Sequence, residues 1–261
     1  MNFAERFDNP FAYSEYEYKL ARDFIIPELD CIGMNLKGKK LADVGCGFGG
    51  CSVAFAESKV KCTSFDLSKH QIEIANKFAK LKKVKIRFFI DNICNLKTKG
   101  NFDVIIFRDV VEYVDNPIKA LKSLKKMLNR RGLIYITFPP WYGPYGGHQH
   151  HPDSITRFMP FVHLLPKCIY FNMLKNKRGL MIKETNYLEE VKKISTNKIS
   201  IIKFEKLIKR MGLRIFKKNL YILRPAFKIR YGTPIIRSGF FGKMPILNEL
   251  ITTGAEYILT K

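Results

Sequence analysis

The stretch LADVGCGFGG, residues Leu41 to Gly50, runs from apolar residues into a glycine-rich loop and continues into the small, apolar segment CSVAFA. This order predicts a buried strand, a tight turn and the first turn of a helix. The glycines at 45, 47 and 50 fit the G-x-G-x-x-G spacing of a loop that holds a ligand against its backbone. Asp43 lies two residues before the first of them. The loop therefore predicts a ligand site whose ligand has to be compatible with a nearby carboxylate.

Strand and helix patterns alternate outward from this loop, which is typical of a parallel sheet covered on both faces. A helix is predicted after Ser68, which forms a capping box with Gln71. Another begins at Asn116 and Pro117 and is expected to end at Gly132. The predicted strands cover 40–45, 59–66, 85–91, 102–109 and 133–140.

The alternation stops after Pro140 and resumes near residue 200. A helix that ends at Gly212, a strand at 213–223, a helix at 245–254 and a strand at 255–261 are predicted there. The fold class is therefore α/β, a doubly wound, mostly parallel, seven-stranded sheet with a cap inserted after the fifth strand. We interpret 1–261 as a single domain, comprising an N-terminal helical segment (1–37), a cofactor-binding core (38–140), the cap (141–199), and a closing helix and strands (200–261).

Carboxylates that follow the strands indicate which ligand the loop holds. Asp66 ends the second strand, where an acid accepts hydrogen bonds from ribose hydroxyls. Asp43 would repel a pyrophosphate and attract an ammonium group. Asp91 ends the third strand and could accept a hydrogen bond from an adenine amino group. An amino acid joined to adenosine, S-adenosylmethionine, fits these groups better than a dinucleotide does.

The same motifs resemble those of the class I S-adenosylmethionine-dependent methyltransferases. The family's D-x-G-x-G-x-G stands here as DVGCGFG (43–49), and its fourth-strand motif as FDVIIFRDVVEYVDNP, with Tyr113 where the family usually has His. The resemblance implies an enzyme of the Rossmann-like methyltransferase superfamily that uses S-adenosyl-L-methionine. The cofactor-binding residues it implies or that we predict beside them are Asp43, Gly45, Cys46, Gly47, Gly49, Asp66, Leu67, Asp91, Asn92, Ile93 and Arg108. For Leu67 and Ile93, ordinary core packing is an equal alternative.

A histidine-rich stretch, WYGPYGGHQHH (141–151), follows the fifth strand, where the methyl acceptor should bind. Histidine is the commonest general base near neutral pH. We predict that His148, after the flexible pair Gly146–Gly147, takes the acceptor's proton, with His151 as the second candidate. A structural role for these histidines is an equal alternative. A metal site formed with His150 is disfavoured, because no spacing matches an established one.

The formal net charge is +23, and residues 141–261 carry 22 basic against 7 acidic residues, a net +15. A basic protein attracts nucleic acid, an anionic membrane surface or a phosphorylated substrate, although a lysine-rich composition alone would also produce the charge. Because no nucleic-acid-specific catalytic motif is present, we expect a small-molecule, sugar or lipid-type acceptor, methylated at oxygen. An RNA methyltransferase and a non-catalytic cofactor-binding protein are the alternatives. The six cysteines form no C-x-x-C pair, and no signal peptide or membrane span is recognised, which predicts a cytoplasmic protein.

Overall fold

A computed structural model describes residues 9–97, 100–149, 155–175, 187–239 and 244–261. In these residues, eight strands form one sheet in the order β3-β2-β1-β4-β5-β8-β6-β7. The first five strands are mutually parallel, and β8, β6 and β7 are antiparallel to their neighbours. The strands are β1 (Lys40–Val44), β2 (Lys61–Asp66), β3 (Arg87–Ile90), β4 (Phe102–Arg108), β5 (Leu128–Phe138), β6 (Arg214–Leu223), β7 (Ile236–Arg237) and β8 (Gly254–Thr260).

Along the chain, two of the described helices precede β1 and the others lie between the strands. These helices are α1 (Pro10–Leu20), α2 (Ile26–Cys31), α3 (Gly50–Glu57), α4 (Lys69–Leu81), α5 (Pro117–Met127), α6 (Lys167–Lys175), α7 (Tyr187–Asn197), α8 (Ile201–Arg210), α9 (Pro225–Tyr231) and α10 (Pro245–Ile251). A π-helical turn (Ala21–Ile25) joins α1 to α2, and 3-10 turns lie at Ile93–Asn95, Ile155–Phe158 and Val162–Leu164. Among these described helices, none is long and apolar enough to cross a membrane.

Helices cover both faces of the sheet, because side chains along β4 alternate between two apolar cores. Ile105 and Phe107 pack with α5 and α8 on one face. Val104 and Ile106 pack with α2, α3, α4 and the π-helical turn on the other. All four side chains are fully buried, as expected for a strand in the middle of a parallel sheet. This confirms the predicted doubly wound α/β fold.

The two predicted helix starts are confirmed by their caps. The Ser68 hydroxyl accepts a hydrogen bond from the Gln71 amide (3.2 Å), and the Asn116 side chain accepts one from the Lys119 amide (3.0 Å). Each cap satisfies a backbone N–H that has no partner within its helix.

Two details differ from the prediction. Gly132 does not end α5, which stops at Met127; it lies inside β5, where an added Cβ would come 3.0 Å from the Asp103 carbonyl oxygen. Glycine there permits a close approach at an irregularity in the β4–β5 register. The sheet has eight strands in the described residues where seven were predicted, because the two-residue β7 adds an edge.

Candidate active site

The strand order reverses between β1 and β4, and a cavity of about 770 Å³ opens at the carboxyl ends of these strands. Ligands bind at this position in open α/β sheets because the loops diverge there. The loops after β1, β2, β3 and β4 line one part of the cavity, and α1, α7, α9 and the segment after β5 line other parts. The site predicted from the glycine loop is therefore a real cavity.

The glycine loop needs glycine for two different reasons. Gly45 has φ +72°, and an added Cβ would lie 2.4 Å from the Val110 side chain. Gly47 has φ +54° and lines the cavity, where only the Glu17 carboxylate comes within 4 Å of an added Cβ. Gly49 has φ +79° and precedes α3, but it packs on Ala75 and does not line the cavity. The loop is thus held close to the sheet and presents bare backbone to a ligand.

Asp66 fixes the loop to the end of β2. Its Oδ2 accepts a hydrogen bond from the Gly47 amide (2.9 Å), and its Oδ1 accepts one from the Ser68 amide (3.0 Å). Burial raises its pKa, against the effect of these backbone hydrogen bonds. The carboxylate lines the cavity, so it can accept from a ligand's hydroxyls as well.

An apolar slot lies beside Asp66. Leu67 lines the cavity with 65% of its surface exposed, which is unusual for leucine and suits a surface that a flat ring covers. Ile93 forms the opposite part of this wall and is buried in the core as well. Asp91 Oδ1 accepts from the Asn92 amide (2.8 Å), and Asn92 Oδ1 from the Cys94 amide (2.8 Å), which orders the loop after β3.

A buried ion pair lies at the other end of the glycine loop. The guanidinium of Arg108, at the end of β4, contacts Oε1 of Glu17 on α1. Burial raises the pKa of Glu17 to about 7, although the charge of Arg108 opposes the shift. Oε2 of Glu17 is buried and has no hydrogen-bond partner of normal geometry among the described residues. A carboxylate and a guanidinium therefore lie together on the cavity wall, and one oxygen of the carboxylate has no hydrogen-bond partner among the described residues.

Asp43 and Cys46 lie behind the loop and do not line the cavity. The Asp43 carboxylate accepts a hydrogen bond from the Ser52 hydroxyl (2.5 Å), and burial raises its pKa to about 6. Burial also raises the pKa of the Cys46 thiol well above its ordinary value. The carboxylate that lies at the cavity surface beside this loop is that of Glu17 and not that of Asp43.

His148 lines the cavity and lies between two groups that follow β4. Its Nδ1 is 2.6 Å from the hydroxyl of Tyr113, and its Nε2 is 3.3 Å from Oε1 of Glu112. Glu112 is buried, and burial raises its pKa. Burial likewise raises the pKa of Tyr113 well above its ordinary value. Tyr113 and His148 are hydrogen-bonded and line the cavity, whereas the Glu112–His148 contact is a close approach at ion-pair distance, because neither Glu112 oxygen has a hydrogen-bond partner of normal geometry among the described residues.

His148 is held by a strained, closely packed loop. Its φ is +57°, a conformation that non-glycine residues rarely adopt. The preceding Gly146 and Gly147, interpreted as a flexible pair, are buried, and an added Cβ on Gly147 would lie 2.1 Å from Cβ of His163. Glycine is therefore required here by packing. Nε2 of His163 donates a hydrogen bond to the Trp141 carbonyl (2.6 Å), and burial lowers the pKa of His163 to about 4.

Two arginines contact Asp109, which follows β4. Arg224 Nη1 lies 3.4 Å from Asp109 Oδ1, and Arg108 Nη1 lies 3.6 Å from Oδ2. Burial would raise the pKa of Asp109, but Arg224 and Arg108 outweigh it and hold the pKa below its ordinary value. Arg230, on α9, lines the same cavity.

The structure thus brings most of the predicted site residues to one cavity: Gly45, Gly47, Asp66, Leu67, Asp91, Asn92, Ile93, Arg108 and His148. His151 and His150 lie outside the described residues. Among the residues that are described, no three His, Cys, Asp or Glu side chains are grouped to hold a metal ion. The sequence analysis did not identify Glu17, Glu112, Arg224 and Arg230 as site residues. Glu17 lies between the tyrosines of α1 in sequence, and Glu112 lies inside the quoted fourth-strand motif; neither arginine had a local signal.

Comparison with known proteins identifies a shared domain. The family model described as "Methyltransferase domain" matches residues 13–168, more than half of the chain. A relative named ubiquinone biosynthesis O-methyltransferase, from Pelagibacter ubique, is 33% identical over 128 residues, 49% of this chain and 52% of the relative. The chain thus spans about half the length of this curated relative.

Solved structures share the fold at low sequence identity. A methyltransferase from Clostridium acetobutylicum aligns with a TM-score of 0.58 and 15% identity, covering 93% of this chain and 91% of the other. A magnesium protoporphyrin IX methyltransferase from Synechocystis, solved with bound SAH, has a TM-score of 0.55 and 14% identity, covering 94% and 83%. At these identities the likeness establishes the fold.

Proposed function

Because the chain belongs to the methyltransferase-domain family, we propose that it uses S-adenosylmethionine to methylate a hydroxyl group of a small-molecule acceptor. The observation that carries the proposal is the shared cavity. Its lining includes the carboxylate of Asp66 with the apolar Leu67 and Ile93, the Glu17–Arg108 pair, and the hydrogen-bonded Tyr113 and His148.

The residues present fit the cofactor group by group. Asp66 would accept hydrogen bonds from ribose hydroxyls, and Leu67 and Ile93 would cover the adenine ring. The amino-acid part of the cofactor carries an ammonium and a carboxylate, which match the charges of Glu17 and Arg108. The spare acceptor capacity of Glu17 Oε2 supports this match, because a buried carboxylate oxygen without a partner is costly. When bound, the cofactor supplies a methyl group attached to a sulfonium, whose sulfur is already a good leaving group.

The chain's own residues would then position and deprotonate the acceptor. A hydroxyl becomes a better nucleophile when its proton leaves, and His148 is the base at this end of the cavity. Glu112 would orient the imidazole and stabilise its charged form, as a buried carboxylate does in other acid–base pairs. Tyr113 bridges the Nδ1 atom of His148 and the cavity, so the proton can pass through its hydroxyl.

Methylation at oxygen is supported by the printed name of the Pelagibacter relative, an O-methyltransferase. A neutral amine has a free lone pair and can accept a methyl group without a base, whereas a hydroxyl needs a base to take its proton, and this site contains a histidine with a carboxylate behind it. Both observations favour oxygen over nitrogen.

Calorimetry tests the cofactor half of the proposal. S-adenosylhomocysteine should bind to the full chain, and NAD should bind far more weakly. Labelled S-adenosylmethionine, incubated with the protein and with separate lipid, RNA, protein and metabolite fractions, tests the acceptor half. Tight binding of NAD without any response to S-adenosylhomocysteine contradicts the cofactor assignment, and label confined to protein or RNA contradicts the acceptor class.

A further inference from the structure

We infer that the acceptor carries an oxyanion, a carboxylate or a phosphate, which Arg224 and Arg230 bind at the wall of the cavity. The inference rests on the proposed function and names the chemical class of its substrate. It follows from two guanidinium groups whose surroundings do not neutralise them.

Arg230 is a mostly buried cation without a described counter-charge. Its Nη2 donates a hydrogen bond to the Tyr16 hydroxyl (2.8 Å), and its guanidinium lies 4.9 Å from the centre of the Tyr16 ring. No carboxylate of the described residues lies within ion-pair distance of it, and its Nε is buried without a hydrogen-bond partner among them. A guanidinium held only by a neutral phenol retains most of the cost of its desolvation.

Arg224 has a counter-charge, the carboxylate of Asp109, but Arg108 also contacts that carboxylate. Nη1 of Arg224 reaches Asp109 at 3.4 Å, a long contact, and Asp109 also faces Arg108 at 3.6 Å. Its Nε is buried with no hydrogen-bond partner in the described chain. The side chain is only 13% exposed. Asp109 is thus shared by two cations, of which Arg108 also pairs with Glu17, and Arg224 and Arg230 each have a buried Nε without a hydrogen-bond partner in the described chain.

Three arginines of the cavity wall, Arg108, Arg224 and Arg230, outnumber the two carboxylates that form ion pairs with any of them, Asp109 and Glu17. The pKa of Glu17 is raised to about 7, so it carries only part of a charge at neutral pH. An oxyanion bound at the cavity-facing N–H groups of Arg224 and Arg230 would supply the missing counter-charge, since guanidinium groups bind carboxylates and phosphates through several N–H groups.

The neighbouring walls are aromatic, which suits the remainder of such an acceptor. Phe227 lies between the two arginines in sequence and packs against Tyr145, with ring centres 6.3 Å apart. Tyr13 packs on Phe48 at 5.5 Å. All four residues line the cavity. The acceptor site is therefore a pocket with cations set in an aromatic surface.

Two sources of the oxyanion are chemically alike: the acceptor and the cofactor's own carboxylate. Binding measurements on the variants Arg224→Gln and Arg230→Gln distinguish these two sources. The affinity of each variant is measured for S-adenosylhomocysteine and for 5′-methylthioadenosine, which lacks the amino-acid part. Arg237→Gln is the control, because that side chain on β7 is 60% exposed. We expect all variants to bind both ligands as the wild type does. A loss confined to S-adenosylhomocysteine in either cavity variant assigns the arginine to the cofactor and overturns the inference.

The acceptor itself is tested with labelled S-adenosylmethionine and a small-molecule extract of the source cells. The labelled product should be retained by an anion exchanger at neutral pH, and treatment with phosphatase then distinguishes phosphate from carboxylate. Arg224→Gln and Arg230→Gln should lower its formation at least about tenfold, and Arg237→Gln should not. A labelled product that is wholly neutral overturns the inference. If no labelled product forms although S-adenosylhomocysteine binds, the proposed function is contradicted and the acceptor site with it.

Discussion

The hydroxyl of Tyr113 lies 2.6 Å from Nδ1 of His148, a residue 35 positions further along the chain. Tyr113 follows β4 and His148 follows β5, so the contact joins the ends of two adjacent parallel strands. Glu112 lies 3.3 Å from Nε2, so the imidazole has a phenol on one side and a buried acid on the other. Turnover should therefore depend on all three side chains.

Removal of the base should lower turnover without changing cofactor affinity. His148→Ala is expected to lower kcat about 100-fold or more, the usual contribution of general-base catalysis. His70→Ala, on the exposed side of α4, is the matched control. Turnover is measured with the acceptor fraction that becomes labelled, and affinity with S-adenosylhomocysteine. Normal turnover by His148→Ala would show that the base lies elsewhere.

The roles of Glu112 and Tyr113 in turnover should be distinguishable by conservative substitutions. Glu112→Gln keeps the shape of the side chain but removes the charge that supports a protonated His148, so kcat should fall and the pH–rate profile should shift. Tyr113→Phe removes only the hydroxyl, and it should lower kcat if the proton passes through that group. An unchanged pH–rate profile in both variants would assign them a structural role.

Most of the fold could be predicted from the sequence because local signals and burial agree. The Ser68 and Asn116 caps and the apolar runs of β1, β4 and β5 indicate the same elements that tertiary packing stabilises. Gly132 shows where local signals fail. Glycine after a helical pattern is typical of a helix end, but here the backbone of β4 approaches so closely that no side chain fits.

The part of the cavity lined by the glycine loop and by the residues after β2 and β3 could be predicted for the same reason: these residues lie in short motifs after consecutive strands. The rest of the lining could not. Glu17, Arg224 and Arg230 come from α1, the position after β6 and α9, and only the folded chain brings them to one cavity. Asp43 shows the converse, since a motif residue lies behind the loop while an unrelated acid occupies the surface.

Cofactor affinity should increase with pH if Glu17 binds the ammonium group. Its pKa in the folded chain is raised to about 7, so it is mostly protonated at pH 6 and mostly ionised at pH 8. S-adenosylhomocysteine should bind up to about tenfold more tightly at pH 8 than at pH 6. Glu17→Gln should remove the dependence. 5′-Methylthioadenosine, which has no amino-acid part, should show none with the wild type, and an equal dependence for both ligands would contradict the assignment.

Glu17 should also affect stability in a definite direction. Its folded pKa, about 7, exceeds its ordinary value of 4.5, so ionising it disfavours the folded state. This cost is absent below about pH 4.5 and complete above about pH 7, so the contribution of Glu17 to the free energy of unfolding falls as the pH rises between them. Urea unfolding at pH 5 and pH 8 should therefore show a smaller decrease for Glu17→Gln than for the wild type. A decrease of the same size in both would exclude Glu17 as its source.

Asp66 should contribute to cofactor affinity through its charge. Asp66→Ala is expected to weaken binding of S-adenosylhomocysteine by about 1–3 kcal/mol, the cost of losing charge-assisted hydrogen bonds. Because Asp66 also holds the Gly47 amide, the Tm is measured in parallel. Asp30→Ala, an exposed acid at the end of α2, is the control. Unchanged affinity with an unchanged Tm would show that the ribose is bound elsewhere.

The basic charge of residues 141–261 should produce only non-specific RNA binding. Affinity for RNA should be weak, should fall linearly on a log–log plot against salt concentration, and should yield no methylated RNA. Filter binding between about 50 and 200 mM salt, with labelled S-adenosylmethionine in a parallel reaction, measures both. Methylated RNA at physiological salt would favour the RNA methyltransferase alternative over a small-molecule acceptor.

Gly147 should be required for the position of His148. An added Cβ would lie 2.1 Å from Cβ of His163 and 2.9 Å from the Tyr170 hydroxyl, which itself donates to the Gly147 carbonyl at 2.7 Å. Gly147→Ala must therefore displace the loop, at a cost of about 1–3 kcal/mol in the free energy of unfolding, as in other overpacked interiors. Turnover should fall, because His148 is the next residue, while S-adenosylhomocysteine binds as before, because its predicted contacts lie on other elements. Tyr142→Ala, an exposed side chain of the same segment, is the control. Full turnover by a folded Gly147→Ala variant would mean that the strained backbone of His148 is not needed for catalysis.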